Sequence, residues 1–261
     1  MPESKRTIFL THCYKTDLSI IYFGGLNSVT TDALPALRTL YEAGANIIAP
    51  RLPHHHGQDS EGKLGLICEV ELREFSFYFV KAASLLGKEV KTVGVSARAI
   101  LAIYGGLSCQ TVIEIVAFEA PFGISGLPKV LGPVTADYIK LLDDDANLDF
   151  LFRKVPAPGA SSHAVAEVRR FAMRTESLFD EGFFSPTIGI NIVLLHDPNE
   201  SFTSEEAMHR IVNTLENIPD VHANIELTDL GLHREEKWDE EAIKTLYDKM
   251  NRKVLEKLLK K

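Results

Sequence analysis

Short apolar runs rich in β-branched residues alternate along this chain with stretches whose apolar positions recur at helical spacing. That alternation restricts the possible folds more than any single motif does. The strand-like runs fall at residues 19–23, 45–50, 92–95, 113–118, 190–195 and 223–227. Between the first four lie 32–43, 69–86 and 97–107, each with apolar residues on a helical period. Strand, covering helix and further strand, repeated, predict an α/β fold: a mostly parallel central sheet with helices on both faces. Residues 7–11 add a candidate outer strand. A chain of 261 residues with 45% hydrophobic and 25% charged content can close one large core around such a sheet.

The regularity lapses between Pro121 and Thr187. This stretch holds several prolines, the acidic run Asp143-Asp144-Asp145 and a loop at 156–162, with helix-like pieces at 134–142 and 164–179. The expected organisation is a core built from 1–120 and 188–261, with 121–187 inserted as a helical cap that shapes a pocket. The alternative is a second core layer with no binding role. The closing segment, 238–259, places Ile243, Leu246, Met250, Val254 and Leu258 on one helical face and reads as a packing helix anchored by Trp238.

Charge and cysteine usage exclude several classes. A formal net charge of -8 argues against a nucleic-acid partner, because phosphate neutralisation needs clustered Lys and Arg. The one basic cluster, 257–261, ends an acidic helix and complements its dipole. Three cysteines, Cys13, Cys68 and Cys109, form no metal-binding spacing, and their odd count favours free thiols in a reducing compartment. Cys13 and Cys109 read as packing thiols. No apolar run near the N-terminus is long enough for a signal peptide or a membrane anchor, so a cytoplasmic protein is expected. His54-His55-His56 does not read as a metal site, since successive side chains on an extended backbone point to opposite sides. No metal or cofactor is expected.

The candidate chemistry sits at the junction Val93-Gly94-Val95-Ser96-Ala97-Arg98, between a strand-like and a helix-like run. A serine there, two residues after a glycine, forms most of a nucleophile elbow, the sharp turn that holds a hydroxyl clear of a sheet edge. Serine needs a base, commonly a histidine oriented by a carboxylate. In an open parallel sheet these groups come from loops at the carboxyl ends of the strands. The run at 190–195 is followed by His196-Asp197-Pro198-Asn199-Glu200, and the run at 223–227 by Thr228-Asp229-Leu230-Gly231-Leu232-His233. His233 is the candidate base; Glu200, Asp197 and Asp229 are candidate acids. Gly24 and Gly25, after the first central strand, allow a tight turn against a bound carbonyl. The amides of Leu26 and Ala97 are the candidate oxyanion donors, Ala97 at a helix N-terminus.

These residues resemble the α/β-hydrolase fold family, in particular its carboxylesterase and monoacylglycerol-lipase-like branch, over most of the chain. Phe23-Gly24-Gly25-Leu26 stands where the family has a His-Gly oxyanion segment. Residues 49–57 look like its Pro-Gly-His-Gly loop, and Glu119-Ala120-Pro121-Phe122 like the strand end leading into its cap. Leu194 to Glu200 is similar to the segment carrying the family's catalytic acid, which places Glu200 on that position; His233 matches the family histidine. The family's histidine before the oxyanion glycine is Phe23 here. Its glycine after the nucleophile is Arg98, a long cation able to point along the helix into solvent or toward a pocket, where it could meet an anionic substrate. The resemblance implies a serine hydrolase of carboxylic esters acting through Ser96, Glu200 and His233, with a small-molecule ester as its partner. A peptidase or acyltransferase on the same triad, or a binding protein that keeps the fold without turnover, are the alternatives.

Overall fold

The computed structural model describes residues 6–25, 33–55, 66–123, 136, 162–198, 203–229, 249, 252–253 and 256–258. Its elements are β1 (Ile8–Leu10), β2 (Thr16–Phe23), α1 (Leu34–Glu42), β3 (Asn46–Ala49), α2 (Glu69–Leu86), β4 (Gly87–Val95), α3 (Ala99–Leu107), β5 (Val112–Phe118), α4 (Ser162–Asp180), β6 (Ile190–His196), α5 (Glu205–Leu215) and β7 (Val221–Leu227). A single 3-10 turn, Ser96–Arg98, joins β4 to α3. The seven strands form one sheet in the order β1-β3-β2-β4-β5-β6-β7. Only β1, paired with β3, runs antiparallel; every other pairing is parallel. The mostly parallel α/β sheet expected from the alternation is therefore present, with the outer strand at its edge.

Both faces of the sheet are covered, which is why the strands read as continuous apolar runs rather than as alternating ones. Ile21, Phe23, Val90, Ile115, Ala117, Ile192 and Leu194 face one layer, with α2, α3 and α4. Ile20, Tyr22, Val93, Val95, Val116, Phe118, Val193 and Leu195 face the other, with Leu37 and Leu40 of α1. Leu258, from the expected packing helix, joins this second layer, and Lys257 pairs with Glu226 on β7. Each fully buried Ile or Phe contributes about 1.5–3 kcal/mol of transfer free energy, so the two layers together supply most of the drive to this topology.

Helix α3 is the central covering element, and all nine of its residues are buried. Small residues let it lie close to its neighbours. A Cβ on Gly105 would strike Ser76 Oγ and come within 2.7 Å of Val80 Cγ2 on α2. A Cβ on Gly106 would come within 2.5 Å of Ile115 Cδ1 on β5. Buried hydroxyls complete the contact: Ser76 donates to the Leu101 carbonyl at 2.6 Å, and Thr92 to that of Ala102 at 3.0 Å.

Of the stretch expected to form a cap, residues 121–123, 136 and 162–187 are described. Helix α4 matches the helical piece at 164–179 and packs into the core layer: Phe171 meets Tyr104 of α3 edge-on at 5.5 Å. Glu167 of α4 accepts the N–H of Glu69 at the start of α2, 3.0 Å away. That carboxylate satisfies one of the open donors of a helix N-terminus. Cys109 is buried as expected of a packing thiol. Cys13 is not; it lies exposed in a turn between β1 and β2 with φ +63°.

Candidate active site at the carboxyl rim of the sheet

Strand β4 stops at Val95 because Ser96 turns the backbone into the left-handed region, φ +55°. A non-glycine residue there costs on the order of 1–3 kcal/mol and persists only where the surroundings impose it. The surroundings are visible in Gly94. A Cβ at that position would lie 2.5 Å from Ala99 Cα, 2.7 Å from the Arg98 carbonyl and 2.8 Å from Ala102 Cβ. Gly94 thus allows α3 to fold back along β4, and Ser96 occupies the resulting corner, half-buried, at the head of the helix. Ala97 follows in the same turn. Arg98 is buried, only 3% exposed, so its side chain does not extend into solvent.

The neighbouring strand ends follow from register. Phe23 pairs with Gly94, which sets the buried Gly24–Gly25 turn beside the β4 terminus. Val95 pairs with Phe118, and Phe118 with Leu195. The residues one step on, Ser96, Glu119 and His196, therefore succeed one another along the same rim. Leu26, Glu200 and His233 lie outside the described residues. Of the other candidate acids, Asp197 is fully buried directly after β6, and Asp229 is exposed two residues beyond β7.

In the sequence Glu119 stands only as part of a strand end, without a role of its own. It also adopts a left-handed conformation, φ +48°. Its N–H donates to the Leu195 carbonyl at 3.0 Å. Its Oε2 is hydrogen-bonded to His196 Nδ1 at 2.9 Å, and its Oε1 accepts the Asp197 N–H at 2.5 Å. Burial pushes the Glu119 carboxyl above the usual carboxylate range, with the bonds to His196 and Asp197 opposing that rise. The available signal was a carboxylate closing an apolar strand and an adjacent His-Asp pair closing the next; nothing local linked the two.

The histidine run divides. His54, at φ +59°, bonds both carboxylate oxygens of Glu71 on α2, at 3.1 and 3.0 Å. His55 is buried, and His56 lies outside the described residues. Among the described residues no three His, Cys, Asp or Glu are grouped to hold a metal ion, and no helix is long and apolar enough to cross a membrane.

Strand order, the antiparallel edge strand and a serine elbow at the end of the central parallel strand together define the α/β-hydrolase fold, which this chain has. The sequence matches no protein-family model and no curated protein. Solved structures match over nearly the whole chain. A metagenome-derived lipolytic enzyme is 11% identical with a TM-score of 0.62, over 96% of this chain and 98% of that one. The monoacylglycerol lipase of Paleococcus ferrophilus is 15% identical with a TM-score of 0.61, over 97% of each chain. A soluble variant of the monoglyceride lipase of Saccharomyces cerevisiae is 10% identical with a TM-score of 0.60, over 96% of this chain and 90% of that one.

Proposed function

We propose that this protein is a serine hydrolase that cleaves small carboxylic esters through an acyl-enzyme. The observation that carries the reading is the backbone of Ser96: a left-handed serine, closing the central strand and opening a helix, over a glycine that nothing larger could replace. Strain of this kind concentrates at working sites. The lipolytic enzymes that share the fold point to esters as the substrate class.

In this reading His233 takes the Ser96 proton as Oγ bonds to the ester carbonyl carbon. Glu200 holds the imidazole in the productive tautomer and stabilises its cation. The amides of Leu26 and Ala97 receive the oxyanion, the second aided by the positive end of α3. The tetrahedral intermediate collapses with cleavage of the carbon–oxygen bond, and His233 returns the proton to the departing alcohol. Water, deprotonated by the same histidine, then releases the acid and restores Ser96. Residues 121–187 are the proposed cap that bounds the acyl pocket, with Gly24, Gly25 and Arg98 as the proposed binding residues. Three free thiols suit a reducing cytoplasm.

Fluorophosphonate labelling of the wild type and of Ser96→Ala tests this directly. The wild type should label and hydrolyse p-nitrophenyl esters, with a chain-length optimum set by the cap; Ser96→Ala should do neither. Labelling that survives in Ser96→Ala rejects the serine. A wild type that neither labels nor turns over is a binding protein on a hydrolase fold.

A further inference from the structure

The mechanism above makes no use of the buried cluster Glu119, His196 and Asp197, although it lies along the same rim as Ser96. The three residues are 6%, 2% and 0% exposed. Glu119 is fixed at both ends. Its backbone is tied to β6 through the Leu195 carbonyl. Two residues beyond Ala120, the Phe122 carbonyl accepts Arg169 Nη1 of α4 at 2.5 Å. From this anchored position the carboxylate grips the two residues at which β6 becomes loop: His196 by its ring, and Asp197 by its backbone N–H. The His196 carbonyl is held from the other side by the Thr228 N–H at 2.7 Å. Glu119 therefore holds the chain at the point where it leaves β6, together with the Thr228 N–H.

The left-handed turn at Glu119 is what makes this possible. An extended residue there would continue β5 along the strand direction, and its carboxylate would not meet the backbone of the neighbouring strand's exit. The same conformation recurs at Ser96, one strand away. Two left-handed non-glycine residues, each closing a central strand at equivalent register, hold the two stems that the proposed chemistry needs: the nucleophile and the loop of the acid.

We propose that Glu119 is a positioning residue, whose carboxylate clamps His196 and Asp197 and so aims the loop after β6, which carries the triad acid. The inference rests on the hydrolase reading with Glu200 as that acid. Misplacement of a catalytic group by an ångström can cost about 10²-fold in rate, so Glu119→Ala should lower kcat by roughly that factor and leave KM nearly unchanged. Glu119→Gln should recover most of the loss, because its amide oxygen still accepts from Asp197 and its NH2 donates to an unprotonated His196 Nδ1.

The deciding measurement is a double-mutant cycle. If Glu119 acts through Glu200, adding Glu119→Ala to Glu200→Ala produces no further loss. A loss that multiplies in the double variant, or a Glu119→Ala enzyme with wild-type kcat, overturns the proposal. Should Glu119→Ala not fold, His196→Ala removes one of the two clamp bonds and is read through the same cycle, with His196→Asn as the rescuing partner. An inactive wild type would instead defeat the hydrolase reading. A Glu200→Ala variant with full activity would defeat the assignment of the acid, so each failure is distinguishable.

Discussion

At the scale of single residues, backbone conformation carries the functional information. Ser96 sits where glycine would be less strained, yet a glycine would have no hydroxyl to offer. Relief of the left-handed conformation is worth about 1–2 kcal/mol, offset in part by the greater freedom of glycine in the unfolded chain. Ser96→Gly should therefore be inactive but melt at or above the wild-type temperature. Ser96→Val, with a β-branched side chain at positive φ, should melt well below it. A wild-type melting temperature for the valine variant would mean that the turn is not held as described. Gly94 and Ser96 were legible in the sequence because a sharp strand-to-helix turn depends on local spacing. Glu119 was not, because its side-chain partners, His196 and Asp197, lie at the end of another strand, 77 and 78 residues further along the chain.

Among the elements, the strand–helix alternation located every strand, with differences at their ends, but it did not mark helix α5 between β6 and β7. The expected run at 92–95 is the second half of β4, which begins at Gly87 immediately after α2. Its first half carries Lys88, Glu89 and Lys91, charges that hide a strand from any reading by hydropathy. Lys88 meets Asp17 at 2.7 Å near the start of β2, and Lys91 meets Glu114 across β5 at 2.6 Å. Helix packing is the other point at which small residues decide. A methyl at Gly105 has no room between α3 and α2, so Gly105→Ala should cost about 1–3 kcal/mol by overpacking and disturb the Ser76–Leu101 hydrogen bond. Chemical denaturation would measure this as a lower midpoint with an unchanged slope. An alanine variant as stable as the wild type would show that the two helices can separate without loss.

For the molecule as a whole, a sheet covered on both faces accounts for which thiols are reachable. Cys13 and Cys68 are exposed and Cys109 is buried. Ellman's reagent should therefore modify two of the three thiols in the folded protein and the third only on denaturation; three fast-reacting thiols would contradict the packing around α3. By itself the sequence determined the layer architecture, the position of the elbow and the candidate nucleophile. Hydrophobic periodicity and local turn chemistry depend on neighbours a few residues apart, and these are written in the order of the chain. Only the tertiary structure decided that the ends of β4, β5 and β6 would present Ser96, Glu119 and His196 side by side, and that α4 would serve as a core helix against α2 and α3. Parallel register joins residues whose separation in sequence is spanned by whole helices and inserts, and no local pattern encodes it.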